Sequence, residues 1–185
     1  RDYQAIVRSL ILLTQSARMD IAFVVLQTAR FVDNPTSIHM ESVKRILRYL
    51  KGAPNLKITY SRDSNFELTD FCDASYGTGD SEKARSTSGS MYFLSGEVVH
   101  FSSSLQNIMA QSTTEAELIV MSTCAKQGMY LSGILRELGW RNFHIVRIFC
   151  GNKGALLLAG QDTYRIRSKH TPIRFAGLRD WINQE

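Results

Sequence analysis

Two acidic residues stand where a charge is expensive to keep. Asp73 directly follows the apolar stretch 66–72, and Glu117 falls in the first turn of a helix-like stretch, 114–138. Met121 and Cys124 come one and two turns after Glu117, so Glu117 is expected to face inward. A carboxylate in an apolar setting costs free energy unless something pairs with it. Two inward acids close together repel, unless a divalent cation lies between them. That arrangement suits phosphodiester hydrolysis, in which one magnesium ion activates water and a second steadies the leaving oxygen. Spacing alone leaves a plainer reading open: Asp73 caps a turn, and Glu117 favours the positive end of a helix.

The elements that would position this pair change character along the chain. Asp2 can cap a helix with Ile6, Leu10, Leu13 and Ala17 on one face. A second apolar stretch covers 21–32 and stops at Asn34-Pro35. A third helix begins near Thr36, spaces Met40, Val43, Ile46, Leu47 and Leu50 along one side, and ends at Gly52. Lys44, Arg45, Arg48 and Lys51 take its other side, either as a polar outer face or as a strip facing phosphate. From there the period shortens. Stretches 57–61 and 66–72 read as strands, and 88–94 with 98–102 as a hairpin around Ser95-Gly96-Glu97. The long helix has a capping box in Ser112 and Glu115 and a stop at Gly139. A short strand at 144–150, a helix across 155–159 and an amphipathic stretch at 173–182 complete the reading. A strand that follows a helix must cross over to rejoin the sheet, so 144–150 should lie parallel to an earlier strand. The expected class is α/β, a mixed sheet with flanking helices preceded by a helical segment.

The 185 residues suffice for one domain with a real core, and 44% hydrophobic against 21% charged residues excludes a disordered chain. No apolar run approaches the roughly 20 residues of a membrane span, so no membrane partner is expected. The chain opens Arg1-Asp2-Tyr3, without a starting Met or a signal-like segment, and reads as a piece of something longer. Cys72, Cys124 and Cys150 are widely spaced and form no Cys-x-x-Cys pair. That argues against a zinc site and fits a reducing, intracellular setting. The net charge of +5 suits a polyanionic partner or an ordinary solvated surface. Arg165, Arg167, Lys169, Arg174 and Arg179 occur between 163 and 179 with no acidic residue among them. They would hold nucleic-acid phosphates without reading sequence, or form a solvated basic loop.

Three motifs occur in order: Asp73-Ala74-Ser75, then Arg85-Ser86-Thr87-Ser88-Gly89, then Ser112-Thr113-Thr114-Glu115-Ala116-Glu117-Leu118. Together they resemble the ribonuclease H domain of copia-type retrotransposon Pol polyproteins. Upstream, Val43-Lys44-Arg45-Ile46-Leu47-Arg48-Tyr49-Leu50-Lys51-Gly52 is similar to the segment that joins reverse transcriptase to that domain. Met19-Asp20-Ile21-Ala22-Phe23 is similar to another piece of the same connection, with Met19 in place of the usual proline, and Ser168-Lys169-His170 resembles a downstream signature. The resemblance implies a helical connection segment over 1–55, with a reverse transcriptase domain in cis, and a ribonuclease-H-like domain over 56–185.

The resemblance also implies cleavage of the RNA strand of an RNA–DNA hybrid, with Mg2+ or Mn2+ held by four acids. Asp73 matches the first acid and Glu117 the second. The third should be an aspartate in a Cys-Asp-Asn sequence, which here reads Cys150-Gly151-Asn152, so Gly151 occupies that position without a side chain. The fourth should lie beyond one more strand and helix, and the chain stops at Glu185 before both. Without that last strand, 144–150 becomes an exposed edge that another chain could pair with. The expectation is a site reduced to Asp73 and Glu117, with metal binding weakened or lost. The domain would keep its fold and bind hybrid or protein. The alternative is an active, divalent-metal-dependent nuclease in which another acid completes the set.

Overall fold

A computed structural model of the chain describes residues 2–61, 66–77, 85–140 and 146–160. The chain divides into two compact units, Arg1–Tyr60 and Ser61–Glu185.

The first unit is helical. Helix α1, Asp2–Ser16, is followed by a single 3-10 turn, Met19–Ile21, then α2, Ala22–Ala29, and α3, Ser37–Gly52. Asp2 is the first described helical residue rather than a cap ahead of the helix. Tyr3, Val7 and Leu10 recur every three or four residues and form a core with Ile21, Val25, Val43 and Ile46. The Tyr3 hydroxyl donates to the Thr28 carbonyl at 2.7 Å, which ties α1 to the end of α2. Helix α2 ends well before Asn34-Pro35, so the apolar stretch 21–32 is helical over only part of its length. Thr36 starts α3 with a capping box in which His39 replaces the usual glutamate: its Nδ1 accepts the Thr36 N–H at 3.0 Å. Arg18 grips both oxygens of Asp20 at 2.9 Å and the Ala53 carbonyl at 2.9 Å, while the Tyr49 hydroxyl donates to Asp20 at 2.9 Å. This polar knot joins the 3-10 turn to the end of α3.

The second unit is built on a sheet. Strand β1, Leu68–Ser75, is followed by β2, Thr87–Leu94, β3, Glu97–Leu105, helix α4, Thr113–Glu137, strand β4, Arg147–Cys150, and helix α5, Lys153–Ala159. The strand order is β3-β2-β1-β4. The first three strands pair antiparallel, and β4 returns beside β1 in parallel, as a crossover through α4 requires. Ser95 and Gly96 make the hairpin turn with φ of 57° and 84°, the left-handed geometry of a two-residue turn. Gly139, at φ 98°, ends α4 as its position suggested.

Two strand expectations change. Residues 57–61 form no strand: none of the described ladders includes them, and a strand exists only where a partner strand takes its N–H and C=O groups. Strand β1 runs past Cys72 to Ser75, because pairing with β2 continues through Asp73↔Gly89 and Ser75↔Thr87. Asp73 is therefore inside the strand rather than after it. The amphipathic stretch 173–182 and the expected missing strand lie outside the described residues.

The core gathers where α4 and α5 cover one face of the sheet. Cys72, Tyr92, Leu118, Val120, Met121, Cys124, Ala155 and Ala159 pack there. Tyr92, fully buried, donates its hydroxyl to the Cys124 carbonyl at 2.6 Å and pins β2 to α4. On the other face Phe71 stacks on Phe149, ring centroids 4.9 Å apart, and meets Phe93 edge-on. A mixed, open sheet with a long helix between its third and fourth strands fits a ribonuclease-H-like fold.

Candidate functional site

The pleat of β1 sorts its side chains. Leu68, Asp70 and Cys72 are buried, while Phe71 and Asp73 are exposed. Helix α4 brings Glu117 to the carboxyl end of the β1/β4 pair. Its start is held by Ser112, whose hydroxyl accepts the Glu115 N–H at 3.1 Å. The Glu115 carboxylate accepts the Gln111 N–H at 2.8 Å. Gln106 adds a second fixing point: its buried amide donates to the Ala116 carbonyl and to Ser88, both at 2.9 Å. Gln106 was missed in the sequence, where a lone glutamine after a strand carries no signal of burial.

Glu117 is the fifth residue of α4 rather than part of its first turn, and it is 7% exposed. Loss of water raises its pKa, and the negative charge of Asp73 raises it further. The two carboxyl groups also share a hydrogen bond that raises it. Against these, the Cys150 thiol, 3.5 Å from Glu117 Oε2, and the Ala74 N–H favour the charged form. Burial raises the Cys150 thiol as well. The structure thus brings together Asp73 and Glu117, and adds Cys150.

Gly151 follows Cys150 at the end of β4, and a Cβ built on it would meet nothing within 4 Å. The next side chain, Asn152, is already committed: its Oδ1 accepts the Ala155 N–H at 3.0 Å and starts α5. Magnesium demands a near-octahedral shell of oxygens. Among the described residues this site offers two carboxylates, one of them holding a thiol. That set does not fit a pair of magnesium ions. Arg165, Arg167, Lys169 and Arg174 lie outside the described residues.

A second cluster was not legible from spacing. Asp70, Cys72 and Cys124 are all buried, with one ligand atom from each within 4.8 Å of the others. The absence of a Cys-x-x-Cys pair argued against zinc, yet the fold closes the distance that the sequence leaves open. The available signal was the pair Asp70 and Cys72, two apart on one strand and therefore on one face. None of the described helices is long and apolar enough to cross a membrane.

No protein-family model matches the chain. The chain is 33% identical over 183 residues to the retrovirus-related Pol polyprotein from transposon TNT 1-94 of Nicotiana tabacum, covering 99% of this chain and 14% of that protein. It is 32% identical over 181 residues to the corresponding polyprotein from transposon RE1 of Arabidopsis thaliana, covering 98% of this chain and 12% of that protein. The chain therefore spans only a small part of the length of these relatives. It is also 31% identical over 130 residues to the secreted RxLR effector protein 161 of Plasmopara viticola, covering 70% of this chain and 91% of that protein.

Proposed function

This chain belongs to the copia-type retrotransposon Pol polyproteins, and on that premise we propose that it is a ribonuclease-H-like domain that retains the fold and has lost RNA cleavage. On this reading residues 1–55 are a helical connection segment from a reverse transcriptase in cis, and 56–185 are the ribonuclease-H-like part. What supports the loss of cleavage is Gly151: it follows Cys150, whose thiol meets Glu117, and brings no side chain where the resemblance calls for an aspartate. Two-metal hydrolysis needs several carboxylates to place both ions, and a pair leaves the second ion without a cradle. What remains of the function is holding a partner. Arg165, Arg167, Lys169 and Arg174 supply phosphate-binding charge for an RNA–DNA hybrid. Strand β4, at the edge of the described sheet, offers a pairing surface to another chain.

The test is a labelled RNA–DNA hybrid incubated with the protein and Mg2+ or Mn2+, with Asp73→Asn alongside. The expected result is no cleavage above the Asp73→Asn background, with hybrid binding that weakens steeply as salt rises. The convergence of Asp73 with Glu117 favours one second reading, an active nuclease completed by an acid such as Asp162 or Asp180. Cleavage that Asp73→Asn abolishes would establish it and overturn the first.

A further inference from the structure

We propose that Asp70, Cys72 and Cys124 form a binding site for a thiophilic divalent cation, zinc foremost, inside the core between β1 and α4. The inference stands apart from the Asp73–Glu117 pair and does not rest on the proposed function.

Asp70 is the observation that asks for a ligand. It is 0% exposed, no hydrogen bond of good geometry reaches either carboxylate oxygen, and its looser neighbours, the Cys124 thiol, the Met91 N–H and the Tyr92 hydroxyl, do not offset the burial that raises its pKa. A buried carboxylate left so is among the costliest arrangements in a core. The nearby phenol cannot relieve it, because Tyr92 has one proton and gives it to the Cys124 carbonyl at 2.6 Å. Besides that phenol and the Met91 N–H, what faces Asp70 is a pair of thiols. Cys72 lies on the same face of β1, and Cys124 comes from α4, which is itself held against β2 by that Tyr92 bond.

The geometry is close to that of an occupied site. Ligand atoms of the three residues lie within 4.8 Å of one another. Zinc holds sulfur at about 2.3 Å, which puts two sulfurs of a tetrahedron about 3.8 Å apart. A contraction of no more than about 1 Å closes the set around an ion. Two sulfurs and one oxygen select zinc over magnesium or calcium, which take oxygen alone.

The exchange balances. Zinc enters as a dication, the two thiols release their protons to solvent as their sulfurs bond to the metal, and the Asp70 carboxylate supplies an oxygen. No oxidant is needed. The ion would staple the central strand to the longest helix.

The experiment uses the full chain, stripped with a chelator and refolded with Co2+ as a spectroscopic probe or with Zn2+. We expect one equivalent of Co2+ to produce thiolate-to-cobalt charge-transfer absorption that Zn2+ then displaces. Zn2+ should also raise the unfolding temperature and protect at least two of the three cysteines from a thiol reagent. Asp70→Asn and Cys124→Ser should each weaken binding at least about tenfold, while Asp73→Asn leaves it intact. Circular dichroism establishes that each variant is folded. Should Cys124→Ser fail to fold, Cys72→Ser and the wild-type thiol protection decide the matter. Absence of cobalt–thiolate absorption in the folded wild type would overturn the proposal. So would binding that survives Asp70→Asn and Cys124→Ser but disappears in Asp73→Asn.

Discussion

Restoring an acid at position 151 tests where that position stands. In Gly151→Asp the new Cβ enters open space, and Gly151 is not among the glycines held at positive φ, so an aspartate fits without strain. Cys150 pairs with Cys72 across the parallel ladder, so residue 151 follows beside Asp73. Neighbouring strands are about 4.8 Å apart. Two unit charges at that distance repel by about 0.9 kcal/mol in water and about 3.5 kcal/mol at an effective dielectric constant near 20. Asp73 and Gly151 are both exposed, so the lower figure applies. Gly151→Asn is the control, with the same shape and no charge. Without divalent cations, Gly151→Asp should unfold below Gly151→Asn by about 1 kcal/mol, a few degrees in Tm for a domain of this size. Added Mg2+ or Mn2+ should cancel or reverse that difference, and calorimetric titration should show tighter Mn2+ binding in the aspartate variant alone. If both variants unfold together with and without cation, Gly151 is not beside the pair, and the argument for a vacated third position fails.

Ser112→Ala removes the hydroxyl that accepts the Glu115 N–H at 3.1 Å and should cost about 1 kcal/mol in chemical denaturation. An unchanged midpoint would mean the cap is idle. Asp20→Asn should destabilise the helical unit at neutral pH. Arg18 holds the Asp20 carboxyl below its ordinary range, assisted by Tyr49. A carboxylate lowered in this way contributes stability that is fully present above its unfolded value near 3.8 and is lost as pH falls through the folded value. The gap between wild type and Asp20→Asn should therefore hold from neutral pH down to about pH 5 and narrow steadily below about pH 4, as pH falls toward the lowered folded value. A gap that does not narrow at all below about pH 4 would refute the assignment.

What could be read in advance was local. The hairpin at Ser95-Gly96, the Ser112 cap, the stop at Gly139 and the parallel return of the last described strand all follow from turn chemistry and chain handedness acting over a few residues. What could not be read depends on partners far along the chain. Whether 57–61 becomes a strand is decided by whether a distant strand pairs with it, and none of the described ladders includes it. The meeting of Cys72 with Cys124 is made by packing α4 on the sheet, and no spacing rule describes a pair separated by a hairpin and half a helix. Asp70 stands three residues before Asp73 and so takes the other face of the strand, and only the packing of α4 makes that face the core. For the pair itself, the inward aspect of Glu117 was legible from Met121 and Cys124, whereas its contact with Cys150 was not.

Strand β1 has parity. Its two aspartates are an odd number of residues apart, and this alone sends one into the core and leaves the other at the surface beside Glu117. Gaining or losing one residue between them would make the interval even and give both acids the same environment. Either two carboxylates would enter the core, or the thiols would lose their oxygen neighbour. A change of two residues would preserve the relation and many single substitutions would leave it untouched. Besides Cys72 itself, length is what this short segment has to conserve, and relatives that keep both clusters should vary at Phe71 but not in the number of residues between Asp70 and Asp73.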